Sequence, residues 1–151
     1  MAFHILLVED NPADAALIRL MLEEHGLPHT LHVVEDGATA LEFLHGRGGH
    51  RGAPRPDLVL LDLNLPVVSG RRVLEGIKAD PDLLTIPVVV FSSSRSSEDV
   101  EHCYFTHANC YVQKPVELEG YGSVIRSLRR FWFNTVQLPP SGYPTTAGKS
   151  H

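Results

Sequence analysis

The sequence predicts an α/β domain built on a doubly wound parallel sheet. Five short apolar segments alternate with five segments of helical spacing, and 151 residues is a typical length for one domain. Such alternation implies parallel strands joined by right-handed crossovers. Leu58–Leu61 is apolar throughout, as expected of a strand that is covered on both faces. We therefore expect a single sheet with helices on both sides, and neither repeats nor a second domain.

The first strand and helix carry clear boundary signals. Residues 5–8 form a short apolar strand, after which Asn11 can cap a helix whose first position suits Pro12. Asp14 favours the positive end of the first turn, and Gly26 is expected to end the helix. Apolar residues at helical spacing between these limits support the assignment.

The second strand and helix lead into a loop of unusual composition. β-branched residues predict a strand over residues 29–35, and apolar residues at helical spacing predict a helix that begins at Gly37. Residues 46–56 are rich in glycine, proline and arginine, which predicts a flexible surface loop. A basic phosphate-binding patch is the alternative there, but the segment has neither helix support nor aromatic partners.

The remaining elements repeat the alternation, and a polar tail follows them. Pro66 and Gly70 break the backbone after the third strand and start a helix that Asp80 closes. Further strands are predicted over residues 86–91 and 110–113, and further helices over residues 98–107 and 117–133. We assign residues 1–133 to the domain and residues 134–151 to a C-terminal arm and tail. The tail is rich in proline, glycine, serine and threonine, so we expect disorder towards its end.

Charge and composition argue against several classes of function. The formal net charge of -5 disfavours binding to nucleic acid backbones, which needs a basic face. No apolar run approaches the length of a membrane span, and the N-terminus lacks the features of a signal peptide, so we expect a cytoplasmic protein. Cys103 and Cys110 lack metal-knuckle spacing, and no pair among the nine histidines has HExxH spacing. We therefore expect free thiols and no metal bound by histidine.

The predicted strands end on residues that carry chemistry. Glu9 and Asp10 follow the first strand, Asp62 the third, Ser92 the fourth and Lys114 the fifth. In a doubly wound sheet these ends share one edge, where crowded carboxylates need a cation, and oxygen ligands suit Mg²⁺. A lysine and a hydroxyl beside that cation suit a phosphoryl group. The alternative for Asp62 is that it only caps the segment that follows.

Together these residues resemble the receiver domains of two-component response regulators. Order and spacing fit that family over about residues 3–130. The matching residues are Glu9, Asp10, Asp62, Asn64, Leu65, Pro66, Gly70, Ser92, Tyr111, Lys114 and Pro115. Glu9 stands where the family often has aspartate, and Ser92 stands where threonine is common. Both departures keep the functional group, so neither weakens the resemblance.

The resemblance implies a fold and a phosphorylation site. The fold would be flavodoxin-like, with five parallel strands in the order 2-1-3-4-5. Asp62 would accept a phosphoryl group from the phosphohistidine of a sensor histidine kinase. Asp10, Asp62 and the backbone carbonyl of Asn64 would bind Mg²⁺, and Glu9 would hold a metal-bound water. The protein would catalyse only its own phosphorylation and dephosphorylation, so it would not be a turnover enzyme.

The resemblance also implies how the signal is stored and transmitted. Ser92 and Lys114 would bind the phosphoryl oxygens, and Tyr111 would change rotamer when Ser92 moves towards the phosphoryl group. Ser92 and Tyr111 would therefore form the switch. Asn64 and Ser94 each lie two positions beyond a site residue, where the family tunes the lifetime of the phosphoryl group.

Two other classes of phosphate chemistry agree less well with the residues. A Mg²⁺-dependent phosphohydrolase of the haloacid-dehalogenase type also uses a strand-end aspartate, but it places a second aspartate two positions later as general acid. Asn64 occupies that position here and cannot act as a general acid. A nucleotide- or flavin-binding module would need a glycine- or hydroxyl-rich loop after the first strand, where Glu9 and Asp10 offer repulsion instead.

The C-terminal end of the domain suggests a pathway. It resembles single-domain regulators that are paired with bacterial phytochromes, which would make the kinase a bacteriophytochrome. The residues that carry this resemblance are Val8, Glu9, Asp10, Asn11, Pro12, Phe131, Trp132, Phe133, Val136, Leu138 and Pro139. The alternative is an ordinary final helix with an apolar end.

The last helix also suggests a homodimer. One apolar stripe is enough to bury the helix on its own sheet, but Val124, Phe131 and Phe133 widen that stripe. The expected interface residues are Val124, Leu128, Phe131, Trp132 and Phe133. Residues 134–138 would lie extended along the partner. The alternative is that long loops cover the patch within one monomer.

Overall fold

The computed structural model describes residues 3–24 and 28–140, and its sheet has the predicted topology. Within these residues five parallel strands lie in the order 2-1-3-4-5. They are β1 (Phe3–Val8), β2 (His29–Val34), β3 (Leu58–Leu61), β4 (Val88–Ser92) and β5 (Cys110–Gln113). The predicted flavodoxin-like sheet is therefore confirmed. The predicted helix end at Gly26 and the tail beyond residue 140 lie outside the described residues.

Five α-helices flank the sheet in the described part of the chain. They are α1 (Pro12–Glu23), α2 (Gly37–His45), α3 (Gly70–Ala79), α4 (Ser97–Phe105) and α5 (Leu118–Arg130). A 3₁₀ turn over Gly48–His50 and a π-helical turn over Phe131–Thr135 complete the helical segments. None of the helices that the structure describes is long and apolar enough to cross a membrane.

Two apolar clusters, one on each face of the sheet, hold the helices in place. Successive residues of a strand point to opposite faces, so Leu6 packs with α2, α3 and α4 while its neighbour Ile5 packs with α1 and α5. Leu74 of α3 and Ile18 of α1 are fully buried in these two clusters. Leu58–Leu61 contributes to both clusters and is buried along its whole length, as its continuous apolar run predicts.

Four of the five described α-helices, α1 to α4, begin where a capping side chain satisfies free backbone N–H groups. Asn11 Oδ1 accepts hydrogen bonds from the N–H groups of Ala13 (2.9 Å) and Asp14 (3.2 Å), and Pro12 is the first residue of α1. The side chains that cap α2, α3 and α4 in the same way are Asp36, Ser69 and Ser96. Gly46 ends α2 in the left-handed region, with φ 64°.

Some element boundaries differ from the prediction. The strand predicted from residue 86 begins at Val88 and ends on Ser92, so the site serine belongs to the strand itself. The helix α4 stops before the predicted residue because His107 has φ 72°, which no α-helix accommodates. The last α-helix ends at Arg130, and the π-helical turn carries the chain to residue 135.

The loop predicted over residues 46–56 is tied to the domain at several points. The His50 ring lies 5.5 Å from the Phe43 ring of α2. The Arg55 guanidinium donates to the carbonyl of Asp82 and, at 2.9 Å, to Thr85 Oγ1. Arg55 is therefore a tether between this loop and the segment before β4.

The end of the last helix packs on its own chain more than the sequence indicates. The residues that pack against the cluster beneath α1 and α5 are Val124, Leu128, Trp132 and Phe133. The Phe133 ring lies 4.5 Å from the Phe3 ring, centroid to centroid. Val124 and Phe133 are therefore partly buried within the monomer, and their place in a dimer interface stays a prediction. Phe131 differs from them because 49% of it stays exposed.

The end of the arm, at residues 139 and 140, also lies against its own chain. Pro139 and Pro140 line a small cleft together with Arg55, Pro56 and Pro87. Pro56 and Pro87 precede β3 and β4, so the cleft lies at the amino ends of the strands. In this monomer, then, the arm crosses the edge of the sheet that is opposite the predicted site.

Candidate functional site

The predicted site residues meet at the carboxyl ends of the strands, where backbone hydrogen bonds continue beyond the strands themselves. The Asp62 N–H donates to the carbonyl of Val8 (3.1 Å), and the Lys114 N–H donates to the carbonyl of Ser92 (2.8 Å). These bonds fix the backbone of both residues against the neighbouring strand. The side chains of Asp62 and Lys114 therefore start from defined positions at one edge of the sheet.

Three carboxylates lie together at this edge. Oxygens of Glu9, Asp10 and Asp62 all lie within 4.8 Å of one another. Glu9 and Asp62 are only 2% and 6% exposed, whereas Asp10 is exposed. Burial raises the pKa of Glu9 to about 7; the hydrogen bond from Lys114 opposes the rise, and the charge of Asp62 adds to it. A set of carboxylate oxygens that repel one another fits a hard divalent cation such as Mg²⁺.

Lys114 is the cation that the chain itself provides. Its Nζ donates to Glu9 Oε1 (2.7 Å), Asp14 Oδ2 (3.0 Å) and Asp62 Oδ2 (3.1 Å). Burial by itself lowers the pKa of Lys114. The hydrogen bond to Glu9, the charge of Asp62 and the hydrogen bond to Asp14 outweigh burial and hold the pKa of Lys114 above its ordinary value. The lysine is therefore a permanent positive charge within reach of the Asp62 carboxylate.

Asp14 is a site residue that sequence reasoning missed. Its place in the first turn of α1 indicated an interaction with the helix N-terminus, whereas its side chain reaches Lys114. Tyr121 of α5 hydrogen-bonds Asp14, and burial followed by the Asp14 charge raises the pKa of Tyr121 to about 12. The available signal was position, because the first turn of α1 follows Glu9 and Asp10 and so must lie beside them.

The segment between β3 and α3 is shaped around Asp62. The Asn64 N–H donates to Asp62 Oδ1 at 3.3 Å, and the Asn64 side chain is exposed. A Cβ added at Gly70 would lie 2.1 Å from the carbonyl oxygen of Asp62, so only glycine fits where α3 begins. Val67 has φ 68°, a conformation that β-branched residues rarely adopt. Backbone strain of this kind is typical of functional loops.

Ser94 connects the two residues of the predicted switch. Ser92 is fully buried, and its Oγ accepts a hydrogen bond from the Ser94 N–H at 3.3 Å. The Tyr111 hydroxyl donates to the carbonyl of Ser94 at 2.9 Å. Hydrogen bonds therefore connect Ser92 through Ser94 to Tyr111.

Sequence reasoning also missed two charged residues beside Ser94. The Ser94 hydroxyl donates to Asp99 Oδ2 (2.5 Å), and the Arg71 guanidinium lies 2.6 Å from Asp99 Oδ1. The hydrogen bond from Ser94, and then the one from Arg71, lower the pKa of Asp99. Asp99 lies three residues after the N-cap of α4, where an acidic residue indicates only helix capping.

The arrangement has the parts of a phosphoryl-transfer site. Asp62 offers a carboxylate oxygen as nucleophile, and the acidic cluster offers oxygens to a divalent cation. Lys114 supplies a charged donor, and the buried Ser92 hydroxyl lies at the end of the strand next to β3. Glu9, Asp10, Asp62 and Lys114 therefore lie together as the sequence indicates. Ser92 ends β4, the strand between β3 and β5.

Comparison with known proteins agrees with this geometry. The family model described as the response regulator receiver domain matches residues 5–125. Among curated proteins, the response regulator Rcp1 of Synechocystis sp. is 44% identical over 135 residues, which are 89% of this chain and 92% of the relative.

Solved structures give the same result. The crystal structure of the phosphorylated cyanobacterial phytochrome response regulator RcpA has a TM-score of 0.90 and 44% identity, covering 93% of this chain and 100% of its own. The Mn²⁺-bound form of response regulator Rcp1 has a TM-score of 0.88 and 43% identity, covering 91% of this chain and 99% of its own.

Proposed function

This chain belongs to the response regulator receiver domain family, and we propose on that premise that Asp62 accepts a phosphoryl group from a sensor histidine kinase. One observation carries the assignment: the nearly buried Asp62 carboxylate lies within 3.1 Å of Lys114 and beside two further carboxylates. A buried aspartate with both a lysine and a cation site within reach is arranged for phosphoryl transfer. The haloacid-dehalogenase alternative has no support among the comparisons.

The transfer can be followed through the residues of the chain. A carboxylate oxygen of Asp62 forms a bond to phosphorus, and the bond between phosphorus and the kinase histidine breaks with its electron pair on the imidazole. Lys114 leaves its carboxylate partners to donate to a phosphoryl oxygen, and the Ser92 hydroxyl donates to another. The product is an acyl phosphate on Asp62, whose carboxylate is a good enough leaving group for water to restore it.

The acidic cluster is suited to Mg²⁺. Asp10, Asp62 and the backbone carbonyl of Asn64 would hold the ion, and Glu9 would hold one of its waters. When bound, Mg²⁺ neutralises the charge of the phosphoryl oxygens and of the carboxylates. The Mn²⁺-bound structure of Rcp1 supports this choice, because Mn²⁺ takes the same kind of oxygen ligands.

The signal would be read through the switch residues and lost by hydrolysis. Movement of Ser92 towards the phosphoryl group would shift Tyr111 through Ser94, as a change of population between two packings. Asn64 and Ser94 would tune the lifetime of the acyl phosphate. The domain would then catalyse only its own phosphorylation and dephosphorylation, and we expect it to do so in the cytoplasm.

The partner we infer is a bacteriophytochrome, a light-sensing histidine kinase. RcpA is a cyanobacterial phytochrome response regulator, and its structure matches nearly all of this chain. The test is phosphotransfer profiling: purified phosphorylated histidine kinases from the source organism are mixed in turn with this protein and with Asp62→Asn. Rapid transfer from a phytochrome kinase, absent with Asp62→Asn, would support both proposals. Faster transfer from a kinase of another class would refute the pathway and leave the phosphorylation intact.

We also propose that the protein forms a homodimer through the end of α5. The observation in favour is Phe131, which is 49% exposed and stacks edge-on against Trp132 at 5.3 Å. Exposed aromatic residues are frequent anchors of interfaces. Because Val124, Leu128 and Phe133 pack within the monomer, they would contribute at most their outer edges to such an interface.

A further inference from the structure

Ser94 has no free polar atom. Its N–H donates to Ser92 Oγ (3.3 Å), and its carbonyl accepts from the Tyr111 hydroxyl (2.9 Å). Its Oγ donates to Asp99 Oδ2 (2.5 Å) and accepts from the Ser96 N–H (3.2 Å). A hydroxyl has only one hydrogen, so the hydrogen given to Asp99 is not available to a water at the phosphorylation site.

Asp99 is itself fixed by its neighbours. Its other oxygen pairs with the Arg71 guanidinium at 2.6 Å, and its backbone N–H donates to Ser96 Oγ at 3.3 Å. The two side chains are only 27% and 34% exposed, so this charge-assisted pair is partly shielded from water. Because Arg71 belongs to α3 and Asp99 to α4, the pair ties both helices to the segment that carries Ser94.

We propose that Asp99 is a positioning residue that prolongs the life of the phosphoryl group on Asp62 by holding the Ser94 hydroxyl away from the attacking water. The inference rests on the proposed phosphorylation of Asp62. In hydrolysis a water oxygen bonds to phosphorus, and the bond from phosphorus to the Asp62 oxygen breaks with its electron pair on the carboxylate. Both hydrogens of the water leave on inorganic phosphate. A free hydroxyl two residues beyond Ser92 would orient that water, whereas a hydroxyl bound to Asp99 does not.

A double-mutant cycle tests the proposal. Wild type, Ser94→Ala, Asp99→Ala and the double variant are phosphorylated with acetyl phosphate and Mg²⁺, and the loss of phosphoryl label is followed after removal of the donor. Asp99→Ala should lose the label roughly threefold to tenfold faster than wild type, the effect expected of one hydrogen bond. Ser94→Ala gives the decay rate of a protein that has no hydroxyl at this position, and it is the reference for the double variant.

The double variant distinguishes a positioning role of Asp99 from a merely structural role. Without a hydroxyl to release, it should decay like Ser94→Ala, whereas a merely structural role of Asp99 would leave it as fast as Asp99→Ala. Glu98→Ala is the matched control, because Glu98 approaches Arg71 at 3.6 Å with a side chain that is 85% exposed. It has no hydrogen bond to Ser94 among those of the described residues, so its decay should equal that of wild type.

A second substitution of Asp99 controls for misfolding of the Asp99→Ala variant. Asp99→Asn keeps an oxygen that can accept from Ser94, so it should decay closer to wild type than Asp99→Ala does. Wild-type decay in Asp99→Ala, or a double variant as fast as Asp99→Ala, would overturn the proposal. If the wild-type protein took no label at all, the phosphorylation of Asp62 would be refuted instead, so the two failures are distinguishable.

Discussion

The ammonium group of Lys114 donates to the carboxylate of Asp62 at 3.1 Å, so the proposed phosphoacceptor already touches the residue that would bind its phosphoryl oxygens. The same ammonium holds Glu9 and Asp14. These contacts keep like charges together in a site that is largely shielded from water. A divalent cation held by Asp10 and Asp62, with one of its waters held by Glu9, would supply part of this positive charge. Lys114 would then be available to the phosphoryl group.

Glu9 should make the metal-free protein less stable as the pH rises. Its pKa is raised from 4.5 to about 7 in the folded state, so folding favours the protonated form, and this stability is lost between about pH 5 and 8. We expect the free energy of unfolding to fall by roughly 2 to 3 kcal/mol over this range. Urea titrations of wild type and Glu9→Gln at several pH values would measure the loss. Equal slopes in both proteins would contradict this assignment.

Asp14→Asn should slow phosphorylation of Asp62. The substitution removes one of three anchors of Lys114, and we expect the rate with acetyl phosphate to fall roughly threefold to tenfold, as for one lost charged hydrogen bond. Tyr121→Phe, which removes the hydroxyl that bonds Asp14, should act in the same direction and less strongly. Glu23→Gln at the exposed end of α1 is the control. An Asp14→Asn protein as fast as this control would refute a role in positioning the lysine.

Gly70→Ala should destabilise the domain and disturb the site together. Its Cβ would lie 2.1 Å from the carbonyl oxygen of Asp62, so the start of α3 or the backbone of Asp62 must move. Overpacking of this kind costs about 1 to 3 kcal/mol, and we expect the upper end because the clash is with backbone. Gly49→Ala is the matched control, since nothing lies within 4 Å of its added Cβ. Equal stabilities of Gly70→Ala and Gly49→Ala in chemical denaturation would contradict a clash with the backbone of Asp62.

The fold could be predicted from the sequence because its main signals are local. The uninterrupted apolar run at Leu58–Leu61 and the cap at Asn11 act within a few residues of themselves. The alternation of such segments then allows few topologies. Glu9, Asp62 and Lys114 could be brought together in the same way, because strand direction alone places their backbones at one edge.

The contacts that the sequence did not indicate depend on which distant residues the side chains of the helices reach. Asp14 and Asp99 both lie in the first turn of a helix, where capping explains an acidic residue without any distant partner. Their contacts with Lys114 and Arg71 arise from packing between elements that are far apart in sequence. The contact of Phe133 with Phe3 could not be predicted for the same reason, because Phe3 lies in β1, far from Phe133 in sequence.

Ser92→Ala should permit phosphorylation but weaken the switch. The variant lacks the hydroxyl oxygen that accepts from the Ser94 N–H and that would reach the phosphoryl group. In wild type we expect phosphorylation to change amide hydrogen exchange over residues 93–97 and the rotamer of Tyr111. In Ser92→Ala both changes should shrink at equal phosphorylation. Identical Tyr111 orientations in the free and phosphorylated wild-type protein would rule out this mode of signalling.

Phe131→Glu should convert the proposed dimer into a monomer. The exposed ring would be replaced by a charge at the centre of the interface, where burial is costly. Light scattering at high micromolar concentration would give the mass, with and without phosphorylation. Leu84→Glu, at another exposed apolar residue, is the control and should leave the mass unchanged. A wild-type protein that is monomeric under both conditions would end the proposal.

Phosphorylation of Asp62 is most directly tested by locating the phosphoryl group. Wild type and Asp62→Asn are incubated with acetyl phosphate and Mg²⁺, and the acyl phosphate is trapped by reduction and located by peptide mass spectrometry. We predict one modified residue, Asp62, in wild type, no modification in Asp62→Asn, and none in wild type when EDTA removes the cation that offsets the carboxylate charges. Modification of another residue, or undiminished labelling of Asp62→Asn, would contradict the account.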